Sequence, residues 1–263
     1  MLIPIIAISL SGLFGCNSEL SIDDMASEDV YEVVEPGPTI MRRLTRAQYD
    51  NTIYDLFGSD IVIPTISEAD SMKGGFLSVG ASTSSYTPRG VESIESASYG
   101  IAGQVVSDDT LLNSLLPCSA SGPSDEDCAG QFVEAMGKRL WRRDLNEEEI
   151  QTYRSIVLEA AAVYDDFNRG IEFALAGMLQ SPNFLYRIEL GEDDPDHPGQ
   201  RRFTNNELAH RLSFFLWNSI PDDALLAAAE DGSIATREGL FSQAKRMLED
   251  DKAKLGVSNF FSE

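Results

Sequence analysis

Apolar residues recur along most of this chain with the spacing of amphipathic helices, and several helix starts carry the same capping pattern. Three segments place a capping side chain three residues before a glutamate or glutamine: Thr45 with Gln48, Asn146 with Glu149, and Thr204 with Glu207. At that spacing the two side chains satisfy each other's free backbone N–H groups. Helices are therefore predicted to begin at these three positions.

Other helix starts are indicated by a proline or an acidic residue in a first turn. They lie at Thr87-Pro88, near Ser124, at Asp166, at Pro221-Asp222-Asp223 and at Thr236. Strand signals are confined to the short apolar runs 61–63 and 75–79. The pattern predicts a mostly α-helical protein, a two-lobed helical bundle with long loops and at most minor strand content, divided near the loop 118–128.

The helix predicted after Thr204 is the most apolar one and includes a single arginine among its apolar side chains. Arg211 lies three residues after Leu208 and four before Phe215, so it shares their face of the helix. Because an unpaired buried charge is costly, we expect Arg211 to be buried against a carboxylate. The expected partners are Glu189, Asp222 and Asp223. Two interpretations stay open: a structural ion pair, or a clamp whose guanidinium binds an anion or a substrate.

The N-terminus predicts export. Residues 1–13 are apolar and uncharged, and they are too few to span a bilayer, which needs about 20 residues. Gly15 before Cys16 resembles a bacterial lipoprotein signal, in which the peptide is cut ahead of the cysteine and its thiol carries the lipid. The alternatives are an ordinary signal peptide and a wrongly assigned start of the reading frame. Residues 17–38 are acidic and contain helix breakers, as in a tether. We expect an exported protein, lipid-anchored in the periplasm or at the outer membrane.

Export makes the other two cysteines informative. Cys118 and Cys128 flank a turn-forming stretch rich in Ser, Gly, Pro and Asp. Disulfides persist in oxidising compartments outside the cytosol. We therefore expect a Cys118–Cys128 disulfide, with two free thiols as the alternative.

Composition excludes several classes of partner and cofactor. The chain has 20 Lys and Arg against 43 Asp and Glu, a net charge of −23, which argues against a nucleic-acid partner. No cofactor is expected in this chain, because no C-x-x-C-H haem motif is present; haem would come only through a partner or a missing domain. Glu207 and His210 have the spacing of half a di-iron site, but the second Glu-x-x-His is missing, so no metal is predicted.

Three stretches of the chain resemble domains of unknown function. Residues 42–52 (RRLTRAQYDNT) resemble the opening of domain 1587, residues 139–153 with 181–187 (SPNFLYR) resemble domain 1595, and residues 203–222, containing RLSFFLW, resemble the start of domain 1592. These domains occur in this order in large exported proteins of planctomycete and myxobacterial type, often beside a c-type cytochrome domain. Their activity is unassigned, so the resemblance implies no catalytic residue.

The N-terminal pattern and the resemblance together imply a domain organisation. A lipoprotein-type signal peptide at 1–16 and an acidic tether at 17–38 precede a 1587-like domain at 39–117 and a 1595-like domain at 118–190. The start of a 1592-like domain follows at 191–263. The apolar helical pattern continues to the last residues with no cap or breaker, so a C-terminally truncated domain is expected.

Three functional hypotheses follow. The leading one is a lipid-anchored extracytoplasmic helical module that acts by binding or assembly, with no chemistry in this segment. The alternative is part of an exported enzyme or cytochrome-linked redox assembly acting on polymers, its active site completed by missing sequence or by a partner; whether the protein is an enzyme is left open. The third is a decayed gene product. The expected partners are the membrane, through the lipid anchor, and a c-type cytochrome or another exported protein.

Overall fold

The computed structural model describes residues 41–262, and this part of the chain is mostly α-helical, as predicted. Its helices are α1 (Arg46–Phe57), α2 (Leu77–Gly80), α3 (Pro88–Ser107), α4 (Asp109–Leu115), α5 (Glu126–Trp141), α6 (Glu147–Tyr164), α7 (Phe167–Gln180), α8 (Pro182–Leu185), α9 (Asn205–Leu216), α10 (Asp223–Glu230), α11 (Arg237–Glu249) and α12 (Lys252–Ser262). Its strands are β1 (Met41–Arg43), β2 (Tyr186–Ile188), β3 (Glu192–Asp193) and β4 (Arg201–Arg202).

The predicted helix starts are confirmed. All three capping boxes form, at Thr45 for α1, at Asn146 for α6 and at Thr204 for α9. At the other five predicted starts a side chain also accepts a backbone N–H: Thr87, Asp125, Asp166, Asp222 and Thr236. These contacts join residues two or three positions apart, so they depend on local sequence alone.

The predicted strands were wrong. Residues 61–63 have no regular structure, and residues 77–79 belong to the single turn α2. The longer strand pair instead joins β1 antiparallel to β2, with Met41 opposite Ile188, Arg42 opposite Arg187, and Arg43 opposite Tyr186. Strands of three residues with several arginines carry no apolar alternation, so the hydrophobic pattern could not indicate them.

The apolar core is not divided at the loop 118–128, contrary to the prediction. One large hydrophobic cluster contains Ile101 and Leu112 on one side of this loop and Phe132 and Leu175 on the other. The reason is that α3 packs against α7 and thereby buries its apolar face across the predicted boundary. A second, smaller cluster joins α9 to the C-terminal helices around Trp217.

The predicted disulfide between Cys118 and Cys128 is confirmed. The two Cα atoms lie 5.6 Å apart, within the range that a disulfide requires. The bond fastens the loop before α5 to the first turn of that helix.

The predicted membrane anchor is at the N-terminus. Cys16, its signal peptide and the tether at 17–38 lie outside the described residues. Within residues 41–262, none of the helices combines the length and the apolar character that crossing a bilayer requires.

Candidate functional site

An open cleft of about 440 Å³ lies between β1, β2 and the helices α9, α11 and α12. Three arginines line it, Arg42, Arg187 and Arg211, in a protein whose net charge is −23. The apolar part of its wall is formed by Leu208, Leu212, Phe214, Phe215, Leu240 and Phe260. The cleft therefore combines positive charge with apolar surface.

The pairing of β1 with β2 brings two of these arginines together. Arg42 and Arg187 are directly opposite each other in the ladder, so their side chains leave the strands on the same face, where the Cβ atoms of opposed residues are about 5 Å apart. Like charges in this position repel each other. A negative charge between them would relieve that repulsion.

The third arginine comes from the face of α9 that carries Leu208, Leu212 and Phe215. We expected this face to be buried, and that expectation was wrong: the Arg211 side chain is 40% exposed and Phe215 is 73% exposed. The opposite face of α9, with Ala209 and Ser213, is the one packed in the protein. The apolar stripe lines the cleft because β1, β2 and the C-terminal helices border it without covering it.

Glu189 joins two of the arginines. Its carboxylate oxygens accept hydrogen bonds of 2.6 Å from Nη2 of Arg187 and of 2.6 Å from Nη1 of Arg211. Glu189 is buried, so solvent screens these contacts only weakly. Arg211 thus meets one of its expected partners.

Asp222 is not a partner of Arg211, and the structure corrects that prediction. Its carboxylate caps α10 by accepting the Leu225 N–H, and it accepts two hydrogen bonds from Arg246, at 2.7 and 2.9 Å. Asp222 lies at the start of α10, next to α11, and it therefore pairs with Arg246 of α11 instead of Arg211. Asp223, the third expected partner, lies in the first turn of α10.

Positive charge at the cleft exceeds the charge of its one bridging carboxylate. The Nε atoms of Arg42 and Arg187 are buried and have no hydrogen-bond acceptor. The pKa of Arg187 is lowered, mainly by burial. The carboxylate of Glu189 opposes this shift, and the charges of Arg42 and Arg211 add to it. Three guanidinium groups with one bridging carboxylate together make a site where an anion is favoured.

A fourth arginine, Arg142, fixes the segment that leads into β2. Its guanidinium donates to the carbonyl oxygens of Asn183 at 2.9 Å, Phe184 at 3.2 Å and Tyr186 at 2.8 Å. Burial, followed by the charge of Arg187, lowers the pKa of Arg142 to about 9, so this side chain is still a cation at neutral pH. Arg142 is a positioning residue for Arg187, because the segment that it binds, residues 183–186, directly precedes Arg187.

The ring of Phe214 lies below two of these cations. The guanidinium carbon of Arg187 is 4.8 Å from its centroid, and that of Arg142 is 5.8 Å away. Cations over an aromatic face are stabilised by the ring quadrupole. The α9 helix therefore supports the arginine cluster from below as well as contributing Arg211.

The far wall of the cleft depends on a close approach of α12 to the end of α9. A Cβ atom on Gly256 would overlap the carbonyl oxygen of Leu216, so only glycine permits this distance. Trp217 secures the same corner, because its indole N–H donates to the carbonyl oxygen of Met247 at 2.9 Å. This packing places Phe260 on the cleft wall.

Glu207 and His210, the pair with metal-like spacing, are both buried on α9. The Glu207 carboxylate accepts the backbone N–H groups of Leu190 at 2.7 Å, Gly191 at 2.8 Å and Thr204 at 2.8 Å. Burial, assisted by the charges of Arg142 and Arg187, lowers the pKa of His210 well below its usual range. Across residues 41–262, no cluster of three or more His, Cys, Asp or Glu residues could hold a metal ion.

Comparison with known protein families gives three matches along the chain. Residues 42–107 match the model of a protein of unknown function (DUF1587), residues 128–189 match DUF1595, and residues 203–263 match DUF1592, each also described as a protein of unknown function. One chain thus carries DUF1587, DUF1595 and DUF1592. A search of curated proteins and a search of solved structures each found no match.

The cleft draws on all three matched regions. Arg42 lies in the DUF1587 match, Arg187 and Glu189 lie in the DUF1595 match, and Arg211 lies in the DUF1592 match. The arginine cluster therefore forms where the three regions meet. Sequence reasoning found Arg211 and Glu189 but missed Arg42 and Arg187, whose only signal was their place within the family-like stretches.

Proposed function

We propose that this protein is an exported, lipid-anchored helical binding module, and that its cleft receives the anionic group of a ligand. One observation carries the proposal: three arginines line an open cleft, and a single carboxylate, that of Glu189, pairs with only two of them. An exported enzyme or a cytochrome-linked assembly stays a prediction of the sequence.

The chemistry of the cleft favours an anion over other ligands. Guanidinium groups present planar arrays of donors that match carboxylate, sulfate and phosphate oxygens. An anion between Arg42 and Arg187 would offset the repulsion across the β1–β2 ladder. The net charge of −23 makes the protein as a whole repel anions, and the cleft with its three arginines departs from that overall charge.

Two features support an extracytoplasmic location. The Cys118–Cys128 disulfide fits a compartment in which thiols are oxidised. The apolar run before Cys16 has the length of an export signal and is too short for a membrane span.

The lipid anchor is testable through Cys16. We expect the wild-type protein to incorporate palmitate during bacterial growth and to sediment with membranes, and we expect Cys16→Ser to lose both properties, because the thiol would carry the lipid. The control is the double variant Cys118→Ser, Cys128→Ser, which removes the other two cysteines and should keep the label. An unlabelled wild-type protein in the cytosolic fraction would contradict the anchor.

Anion binding is testable through Arg211, which is half-exposed and can be changed without leaving a cavity. Calorimetric titration with sulfate at low ionic strength should show binding that Arg211→Gln weakens by about tenfold, since a charge-assisted hydrogen bond contributes about 1.5–3 kcal/mol. The matched control is Arg201→Gln, because Arg201 is also half-exposed, pairs with Asp193 and is not among the residues that line the cleft. Equal sulfate affinities in wild type and Arg211→Gln would overturn the proposal.

A further inference from the structure

The cleft has two chemically different parts, contributed by different elements. The strands β1 and β2 provide Arg42 and Arg187, whereas α11 and α12 provide Leu240 and Phe260. Helix α9 runs along both parts and contributes Arg211 as well as apolar side chains. A ligand that fills the cleft must therefore meet cations at the strand side and apolar surface at the side of the C-terminal helices.

The apolar part is uncovered in this structure. Phe215 is 73% exposed, Phe260 is 58% exposed, and both line the cleft. Exposed aromatic side chains that border a cavity gain free energy when a ligand removes them from water. A small inorganic anion held by the arginines would leave these rings in contact with solvent.

We infer that the ligand is an amphiphile, with one anionic head group held by the arginines and an acyl or alkyl body lying against Phe215 and Phe260. This inference rests on the proposed function, because it assigns the remainder of the same ligand. The volume of about 440 Å³ is within the range of small-molecule sites. The proposed ligand is a single amphiphile molecule that enters the cleft, and not a lipid surface on which the protein adsorbs.

The test compares probes that share one part of the amphiphile. Sodium acetate provides the carboxylate head group almost alone, and sodium octanoate adds an alkyl chain to it. Octyl glucoside has an alkyl chain of similar length without a charge. All three are used below their critical micelle concentrations. We expect octanoate to bind about sixtyfold more tightly than acetate. This corresponds to about a twofold gain for each of the six added methylenes, which is less than the fourfold gain of a fully buried methylene. We expect no saturable binding of octyl glucoside.

Two phenylalanine variants separate the apolar contact from general surface effects. Phe215→Ser changes an exposed ring that lines the cleft, and Phe241→Ser changes a ring on α11 that is 54% exposed and does not line it. We expect Phe215→Ser to weaken octanoate binding about fivefold and to leave sulfate affinity within twofold. Phe241→Ser should leave both affinities unchanged.

Each outcome decides between the two proposals. If acetate, octanoate and sulfate bind with similar affinity, the amphiphile is wrong and the anion site stands. If none of these anions binds, both proposals fail. If octyl glucoside binds as tightly as octanoate, or if the protein binds phosphatidylglycerol vesicles but not monomeric octanoate, a single anionic amphiphile held by the arginines is excluded.

Discussion

Replacing Glu189 with glutamine should lower the free energy of unfolding and raise the affinity for sulfate at the same time. Glu189 is buried and pairs with both Arg187 and Arg211. Removing one partner of a buried ion pair costs about 3–5 kcal/mol. Because Arg211 is partly exposed, we expect a loss at the lower end of this range, about 3 kcal/mol. The freed guanidinium groups should then bind sulfate about tenfold more tightly, because a competing negative charge is gone.

The opposite signs of the two effects make this prediction specific. Urea denaturation measures the stability, and calorimetric titration of the folded protein measures the affinity. Glu192→Gln is the matched control, because Glu192 pairs with Arg202 on the surface and such pairs contribute about 0–1 kcal/mol. A Glu189→Gln protein that loses stability and also loses sulfate affinity would show that the carboxylate only supports the fold.

The second large effect is expected for Arg142→Lys. A lysine retains the charge but cannot reach the carbonyl oxygens of Asn183, Phe184 and Tyr186 together, which the guanidinium does. Buried acceptors without donors cost about 1–3 kcal/mol each, and because lysine can still serve one of them, we expect a loss of about 3 kcal/mol in the free energy of unfolding.

The neighbouring residue provides the control for this substitution. Arg143 is half-exposed and forms its ion pair with Glu149 near the surface, so Arg143→Lys should cost less than about 1 kcal/mol. Urea denaturation of the two variants under identical conditions gives the comparison. Equal losses would mean that the carbonyl contacts of Arg142 do not stabilise the segment before β2.

The helical part of this fold was largely predictable from sequence. Capping boxes at Thr45, Asn146 and Thr204 join residues three positions apart, so their geometry follows from local sequence. The division of the core into two lobes at the loop 118–128 was wrong for the opposite reason. Whether α3 packs against α7 depends on surfaces that are far apart in the chain.

The site was predictable only in part. Periodicity correctly placed Arg211 on the stripe of α9 that carries Leu208 and Phe215. It could not tell a stripe that is buried in a core from one that lines a cleft, because both patterns look the same in sequence. Nor could it choose among acidic partners, since Glu189 and Asp222 both lie within reach along the chain and the fold turns Asp222 toward Arg246.

The sequence by itself determined the helices, their capped starts, the three family-like regions and the pair of cysteines that forms the disulfide. The tertiary structure alone decided that Arg42 lies opposite Arg187 and that both meet Arg211. The physical reason is the separation, along the sequence, of the residues that make each contact. A helix cap is satisfied within one turn, whereas the ladder between β1 and β2 pairs the first described residues with residues that follow α8, and no local pattern encodes that pairing.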